Sequence, residues 1–496
     1  MERRRSDPRI PLLTDDEDDE VLGLSAVGDE KKTTSLFLYF VVCVACLGSS
    51  SLGVGVVWIS PVAPKITSIN STDNPLGHPV TTVELSFTGS LIQIGSILGA
   101  VALKGMFDTF GRKRCLSKIH FLIVIAFAAL AFSQHIILYF FFLFIIGFLI
   151  GGLNVGTPVY ISEVTQDHNR GYMCCLIGLF IQIGNLYGYI MGSYFSIEYF
   201  TLFCALPNLL FFILSDMFLP ESPTYLIIKK RHEEAEDAIQ QLVRCDVMTA
   251  KNIIKNIEYT IEQTANNTSS RLKYMWTDIT ARRTFLITAV IMLLACIGIP
   301  VIMTYLQSIF EESGSDLSDS MSTIIVGVFQ IFCFLLASIL VNKFGRRPLL
   351  IWSTLIICIP YFVVGLYFNL KMYNPSSVAS VKWIPLAGII FLILVADIGL
   401  ISVAYAYYNE VFSIDIKATA ISLLYFISGV ITSFSSFMFP ILIDTIGLDW
   451  IFWIYALIFF AGFVFIFVKV PETRNKNIIE IQRIFADNTP PYINYK

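Results

Sequence analysis

The sequence predicts an all-α membrane protein in which twelve transmembrane helices form two six-helix bundles. Two observations lead to this prediction: the chain is too apolar for a soluble protein, and a set of charged motifs occurs once in each half. Of the 496 residues, 55% are hydrophobic and 15% are charged, whereas soluble domains carry about 25% charged residues. The net charge of -4 argues against a nucleic-acid-binding protein. A lipid bilayer is therefore the expected surrounding of most of the chain.

Hydropathy predicts the individual spans. A helix needs about 20 mostly apolar residues to cross the hydrocarbon core of a bilayer. Twelve stretches meet this requirement: 36–58, 83–104, 116–133, 136–158, 172–194, 198–219, 285–307, 321–342, 348–370, 383–408, 417–443 and 450–469. Backbone groups in hydrocarbon must bond within their own segment, so each stretch is predicted to be a helix. The first span follows a polar tail and is not a cleavable signal peptide, whose apolar core lies nearer the N-terminus.

The distribution of basic residues predicts which ends of the spans are cytoplasmic. Of the 34 Lys and Arg residues, three fall in the connections that follow odd-numbered spans, namely Lys65, Lys371 and Lys382. Basic residues concentrate on the cytoplasmic side, so both termini are predicted to be cytoplasmic. The sequon at Asn70, in the connection 59–82, then lies outside and is the predicted glycosylation site.

Composition divides the chain into five segments. These are a disordered cytoplasmic tail (1–35), an N-terminal six-helix bundle (36–219), cytoplasmic linker helices (220–284), a C-terminal six-helix bundle (285–469) and a cytoplasmic C-terminal tail (470–496). The first tail is expected to be disordered because six acidic residues follow one another from Asp15 to Glu20. The expected location is the plasma membrane. Pro11-Leu12-Leu13 in this acidic tail leaves the endolysosomal membrane as an alternative.

Three charged motifs occur once in each half of the chain. The connection after span 2 reads Asp-Thr-Phe-Gly-Arg-Lys-Arg over 108–114, and that after span 8 reads Asn-Lys-Phe-Gly-Arg-Arg over 342–347. Spans 4 and 10 end near an acid that is followed seven residues later by a cation, Glu163 with Arg170 and Glu410 with Lys417. Pro-Glu-Ser-Pro follows span 6 at 220–223, and Pro-Glu-Thr-Arg follows span 12 at 471–474. Such a repeat of six spans is typical of transporters that alternate between two accessible states.

In combination these motifs resemble the sugar-porter branch of the major facilitator superfamily. The segment Trp58–Pro64 after span 1 resembles the facilitated trehalose transporters more than the glucose transporters. The resemblance implies facilitated diffusion of a hexose or trehalose by alternating access, with a small-molecule sugar and the lipid bilayer as partners. It identifies no partner protein and implies no cofactor.

The resemblance also implies a gating network of opposite charges at the cytoplasmic ends of the spans. Pairs across the two halves are expected to hold the inner side shut while the site faces outward. Arginine suits this role because its planar fork pairs with a carboxylate through two hydrogen bonds. The predicted members are Asp108, Arg112, Glu163, Arg170, Glu221, Arg346, Arg347, Glu410, Lys417 and Glu472.

The expected sugar site departs from the family pattern. Ile177 and Gly178 stand where the family has a Gln in span 5, and Leu294, Ala295 and Pro300 stand where it has amides in span 7. A buried hydroxyl without a partner costs about 1–3 kcal/mol, so other polar groups must replace these amides if a sugar binds. The predicted substrate-binding residues are Gln182, Asn185, Asn154, Gln330, Tyr305 and Tyr405.

Asp397 is predicted to lie deep in span 10, where a carboxylate is costly and indicates a function or a paired partner. The preferred interpretation is an ion pair or a gating role, and proton coupling is the alternative. Proton-coupled sugar porters, which this chain resembles, keep an acid in span 1, whereas residues 36–60 contain none. The resemblance therefore implies facilitated diffusion rather than a proton-coupled sugar or polyol symporter. A nutrient sensor that binds a solute without transporting it is a further alternative. The sequence contains no catalytic motif, metal-ligand spacing or phosphate-binding loop, so an enzyme is not expected.

Overall fold

The computed structural model describes residues 35–68, 74–265, 275–412, 414–474, 476 and 478–487. Within these residues, twelve helices are long and apolar enough to cross a membrane. The predicted fold class, an all-α membrane protein with twelve spans, is therefore confirmed. The predicted glycosylation site Asn70 and the predicted disordered tail up to residue 34 lie outside the described residues.

The twelve spans follow the predicted order. In the N-terminal half they are Leu36–Val57 continued by Ile59–Thr67 (span 1), Thr82–Ala102 (span 2), Arg112–Ala131 (span 3), Ile136–Val164 (span 4), Asp167–Tyr194 (span 5) and Ile197–Phe218 (span 6). In the C-terminal half they are Ile279–Cys296 continued by Ile299–Thr304 (span 7), Asp319–Lys343 (span 8), Arg346–Tyr373 (span 9), Ile384–Val395 continued through Ala396–Ile401 to Ser402–Val411 (span 10), Ile414–Ile446 (span 11) and Leu448–Lys469 (span 12).

Two spans of the C-terminal half are interrupted. Span 7 breaks at Gly298, whose φ of 81° is a backbone conformation that favours glycine. Span 10 contains one turn of π-helix, Ala396–Ile401, in which the hydrogen bonds run over five residues instead of four. Both interruptions lie within the membrane-spanning length, where irregular backbone is typical of the neighbourhood of a site.

Glycines allow the spans of the N-terminal half to approach one another closely. A Cβ atom at Gly99 of span 2 would lie 1.8 Å from the Phe148 carbonyl oxygen of span 4, and a Cβ atom at Gly184 of span 5 would lie 2.1 Å from the Ser50 carbonyl oxygen of span 1. Small residues are favoured between membrane helices because dispersion contacts between backbones replace the hydrophobic effect there. The glycines therefore serve helix packing.

The two halves meet through two pairs of antiparallel spans. In spans 5 and 8, Gly178 faces the Phe334 ring and Gly327 faces Tyr189. In spans 2 and 11, the rings of Phe87 and Phe437 are 5.0 Å apart. These contacts place the turns at Gly111 and Gly345 at the same end of the bundle. We call it the inner end, and the end with the connection 68–81 the outer end.

Helices also follow each half at the inner end. After span 6, the segments Pro223–Ile228, His232–Val243 and Val247–Ala265 are helical and share a small apolar core of their own. After span 12, the helix Ile478–Asp487 packs against span 7, where the Arg283 guanidinium donates to the Phe485 carbonyl oxygen at 3.4 Å. Both segments were expected to be cytoplasmic from their charges.

Candidate functional site

Arg112 organises the inner end of the N-terminal half. Its side chain is 6% exposed and donates through Nε and Nη2 to the two carboxylate oxygens of Glu163, at 3.0 and 3.1 Å. Nη1 donates to the Phe107 carbonyl oxygen at 3.1 Å, and Nη2 also lies 3.1 Å from the exposed Asp108 carboxylate. The guanidinium thus joins the start of span 3 to the end of span 4.

Glu221 binds the start of span 3 from the other side. Its carboxylate accepts the Lys113 backbone N–H at 2.9 Å and the Ser222 N–H at 3.0 Å. A carboxylate at a helix N-terminus is favourable because the helix dipole is positive there. Gly111, with φ 100°, allows the close approach, because a Cβ atom there would lie 2.4 Å from Glu221 Oε2.

The C-terminal half repeats this arrangement. Arg346 donates to Glu410 through Nε at 3.1 Å and Nη2 at 2.8 Å. Glu472 accepts the backbone N–H groups of Arg346 and Arg347 at 3.0 and 3.1 Å. The Thr473 hydroxyl donates to Glu410 at 2.7 Å, as the Ser222 hydroxyl donates to Glu163 in the other half. Each of these two groups is called the clamp of its half. The clamp of the N-terminal half consists of Arg112, Glu163, Glu221 and Ser222, and that of the C-terminal half of Arg346, Glu410, Glu472 and Thr473.

The remaining predicted members lie around the clamps. Arg170 donates to the Ser162 carbonyl oxygen at 3.1 Å, and Arg347 donates to the Phe467 carbonyl oxygen at 3.0 Å. Lys417, before the membrane-spanning part of span 11, has its pKa lowered by partial burial. The ion pairs Arg112–Glu163 and Arg346–Glu410 each join two helices of one half. Pairing across the halves stays a prediction for the state that is closed at the inner end.

The outer end is closed by contacts between the halves. Tyr305, at the end of span 7, lies against Gly89 of span 2, where a Cβ atom would be 1.9 Å from its hydroxyl oxygen, and this hydroxyl donates to the Ser436 carbonyl oxygen of its own half at 3.1 Å. The Gln307 N–H donates to the Ser60 hydroxyl at 3.1 Å. Thr82 of span 2 donates to Asp444 of span 11. Tyr305 was predicted to bind substrate, but it is 1% exposed in this closure and is not accessible to a solute in this conformation.

Gln182 and Asn185, both predicted substrate-binding residues, form a pair on span 5. The Asn185 amide donates to Gln182 Oε1 at 2.7 Å. The Asn185 oxygen Oδ1 is buried, and the structure shows no hydrogen-bond donor for it. Residues three apart are neighbours on a helix surface, and the structure adds the buried Asn185 oxygen, which could accept a hydroxyl.

Gln330 and Asn154 lie apart from this pair. Gln330 of span 8 is buried and points its amide nitrogen at Met303 Sδ, 3.1 Å away, while its oxygen Oε1 has no hydrogen-bond donor. Asn154 of span 4 is exposed and donates to the Ser96 hydroxyl at 3.3 Å. Met303 also accepts the Tyr189 hydroxyl through its carbonyl oxygen at 3.3 Å, so Gln330 lies close to the contact between spans 5 and 7.

Tyr405 is accompanied by two aromatic residues that the sequence analysis missed. Its ring contacts that of Tyr408, whose ring in turn contacts Tyr425 of span 11. Tyr408 stands three residues after Tyr405 on the same helix, so spacing could have found it, whereas the contact of Tyr425 joins two spans and leaves no local signal in the sequence.

Asp397 lies in the π-helical turn and is 6% exposed. Its oxygen Oδ2 has no hydrogen-bond donor, and the structure shows no ion pair to Asp397 within the described ranges. The ion-pair interpretation therefore finds no partner in this part of the chain. Over the same residues, no group of three or more His, Cys, Asp or Glu side chains could hold a metal ion.

Comparison with known proteins identifies relatives over most of the chain. Residues 41–485 match the family model described as "Sugar (and other) transporter". The facilitated trehalose transporter Tret1 of Bombyx mori is 26% identical over 91% of this chain and 88% of that protein. Tret1 of Apis mellifera ligustica is 27% identical over 86% of this chain and 84% of that protein. Among solved structures, the inward open conformation of the xylose transporter XylE from E. coli has a TM-score of 0.74 at 21% identity and covers 90% of this chain and 99% of that one.

Proposed function

Because the chain belongs to the sugar (and other) transporter family, we propose that it carries an uncharged sugar, a hexose or trehalose, across a membrane by facilitated diffusion. The family is the one that the charged motifs predicted, and its members are transporters, as expected for a chain without catalytic motifs. One observation carries the proposal: two similar halves, each held by its own clamp, meet along a face that is closed at the outer end. Such an arrangement can exchange an outer closure for an inner one without unfolding either half.

The contacts that close the outer end are weak enough for the two conformations of a transport cycle to interconvert. Each hydrogen bond contributes about 0.5–1.5 kcal/mol, so those that cross the halves from Gln307 to Ser60 and from Thr82 to Asp444 together stabilise the closed state by about 1–3 kcal/mol. Two conformations that differ by a few kcal/mol are both populated. A solute that binds both states can therefore move between the two sides.

The groups available to the solute are uncharged. The unpartnered amide oxygens of Asn185 and Gln330 can each accept a hydroxyl, and such an oxygen costs about 1–3 kcal/mol while it remains buried and unbonded. Two relatives are named for facilitated transport of trehalose, a solute that carries hydroxyl groups and no charge. Both observations support a neutral polyhydroxyl substrate.

Purified protein in proteoliposomes is expected to take up radiolabelled glucose or trehalose in a saturable way. The same sugar inside the vesicles should accelerate the flux, because the transporter can then return to the outward-facing state with sugar bound. The flux should also be equal at two pH values. Sugar that stabilises the protein against heat but does not enter the vesicles would instead identify a sensor and contradict the proposal.

A proton-coupled symporter is the second candidate, and the buried Asp397 without an ion pair in the described part of the chain favours it. In the same vesicles, an imposed proton gradient would then drive accumulation of sugar above equilibrium. Asp397→Asn should abolish this accumulation and leave exchange of sugar for sugar. Equal flux with and without the gradient would eliminate this candidate.

Replacing Gln182 with alanine is expected to raise the half-saturation constant for the transported sugar about fivefold to tenfold. The variant loses an amide and leaves Asn185 without its partner, at a cost of about 1 kcal/mol or more. The measurement is initial uptake against sugar concentration. Ile183→Ala, an exposed position beside Gln182, is the control and should leave the constant unchanged. A normal constant for Gln182→Ala would remove this residue from the site.

We also propose that the inner end is cytoplasmic, with both termini on that side, and that the protein lies in the plasma membrane. The distribution of basic residues supports the orientation. Labelling of a cysteine introduced at Lys382, in an outer connection, by an impermeant reagent on intact cells would test orientation and location together.

A further inference from the structure

A phenylalanine of span 8 fills the space beside Gly178 of span 5, where the two halves meet. A Cβ atom at Gly178 would lie 2.4 Å from Cζ and 2.6 Å from Cε2 of the Phe334 ring. Carbon atoms in favourable contact are about 3.5–4.0 Å apart. Position 178 therefore has no room for a side chain, not even a methyl group, while the ring stays in this place.

The contact lies one helical turn from two of the predicted substrate-binding amides. On span 5, Gln182 follows Gly178 by four residues. On span 8, Gln330 precedes Phe334 by four residues. Residues four apart share a face of a helix and are about 6 Å apart along its axis. Because the two spans are antiparallel, both amides lie on the outer side of the contact, and the Phe334 ring bounds the group of amides on its inner side.

The face of span 8 that carries Phe334 is directed into the protein. Gln330 on this face is buried and points its amide nitrogen at Met303 of span 7, so the face is turned towards other helices and not towards lipid. Phe334 itself is half-buried, which leaves part of its ring accessible beside the amides. Phe334, Gly178 and the flanking Ile177 provide no polar side-chain atom. A solute that reaches the amides therefore finds no hydrogen-bond partner among these side chains on the inner side.

This arrangement gives the candidate site one polar edge and one apolar edge. The buried oxygens of Asn185 and Gln330 lack a donor among the described residues, and each can accept a hydroxyl. A hydroxyl directed at Phe334 would instead give up its water without gaining a partner, which weakens binding about fivefold or more. A hydrogen atom at the same position of the solute avoids this loss. The difference between the two affinities is the specificity of this edge.

We propose that Phe334, held in the space at Gly178, determines specificity by selecting a deoxy sugar, in which a hydrogen atom replaces one hydroxyl of the parent hexose. The inference rests on the proposed function and narrows its substrate class. Hydroxyls on the other side of the sugar bind the amides of spans 5 and 8, and the position without a hydroxyl faces the Phe334 ring.

Competition with the uptake of radiolabelled glucose into proteoliposomes tests this preference. Each monodeoxy glucose is added unlabelled, and one of them should inhibit at a concentration about fivefold or more below that of glucose, since it leaves no hydroxyl unpaired at the ring. Phe334→Ala removes the ring and admits water, so the two concentrations should then agree within about twofold. Phe332→Ala is the matched control: Phe332 is two residues away on the same span, is 58% exposed and should leave the preference unchanged.

An exchange of the two contacting residues provides a second test. Gly178→Gln alone forces an amide against the Phe334 ring and should lower flux about tenfold or more. Adding Phe334→Ala gives the amide room and supplies a partner for the hydroxyl that lacked one. The double variant should therefore recover flux and should bind glucose about fivefold or more tightly than the deoxy sugar. Stabilisation of each purified variant against heat by the two sugars measures binding independently of transport.

The outcomes separate this inference from the proposed function. Glucose that is transported and binds more tightly than every monodeoxy glucose in the unmodified protein would overturn the inference and leave the proposed function intact. A deoxy preference that persists unchanged in Phe334→Ala, or normal transport by Gly178→Gln, would also overturn it. Absence of uptake, and of stabilisation by glucose and by the deoxy sugars, would contradict the proposed function itself.

Discussion

Arg112→Ala is expected to abolish most sugar flux and to lower the thermal stability of the purified protein. The guanidinium makes contacts to Glu163, Asp108 and the Phe107 carbonyl oxygen, and its loss leaves the half-buried Glu163 carboxylate without a cation. Breaking a buried ion pair by removal of one partner costs about 3–5 kcal/mol. The midpoint of thermal unfolding in detergent measures the effect on stability. Uptake of sugar into proteoliposomes measures the effect on flux.

Asp108→Asn is the matched control for this prediction. Asp108 contacts the same guanidinium but is 64% exposed, and an exposed pair contributes about 0–1 kcal/mol. Stability and flux should therefore stay close to those of the unmodified protein. Wild-type flux in Arg112→Ala, or equal losses in the two variants, would show that the clamp of the N-terminal half does not serve transport.

Gly89→Ala is expected to lower flux tenfold or more by preventing closure of the outer end. The added Cβ atom would lie 1.9 Å from the Tyr305 hydroxyl and 2.7 Å from its Cζ atom. Tyr305 cannot move away easily, because it donates to Ser436 and stacks on Phe439. Overpacking of this kind costs about 1–3 kcal/mol, which shifts the protein towards the state open at the outer end. Binding of sugar from the outer side should persist while flux is lost.

Two further variants distinguish this mechanism from simple misfolding. Gly105→Ala places a methyl group where no atom lies within 4 Å and should behave as the unmodified protein does. Adding Tyr305→Phe to Gly89→Ala removes the hydroxyl that collides and should restore part of the flux. If the double variant is no better than Gly89→Ala, the collision with Tyr305 is not the cause of the loss.

The sequence could predict the architecture because the bilayer imposes it on every span. Apolar length determines where helices cross, and basic residues indicate their direction, so the order of twelve spans follows from local patterns. The repeated motifs also identified Arg112 and Arg346 together with their carboxylates, since motif spacing is preserved within each half.

Sequence reasoning could not predict which partners these charges take. Arg112 pairs with Glu163 of its own half because the turn at Gly111 brings the start of span 3 against the end of span 4, a consequence of three-dimensional packing. The burial of Tyr305 likewise depends on the conformation, since its cover at Gly89 comes from a distant part of the chain. Tyr425 was missed because its ring contact with Tyr408 joins two different spans, which local sequence patterns do not show.

The π-helical turn at Ala396–Ile401 changes the direction in which the later side chains of span 10 point. It inserts one extra residue into a helix of 3.6 residues per turn, which rotates the following part of span 10 by about 100° about the helix axis. The inserted residue therefore determines the direction in which Tyr405, Tyr408 and Glu410 point from the helix. A single-residue deletion in the turn is expected to rotate the tyrosines and Glu410 together about the helix axis. One short segment therefore determines the direction of both a predicted substrate-binding residue, Tyr405, and the carboxylate of the C-terminal clamp.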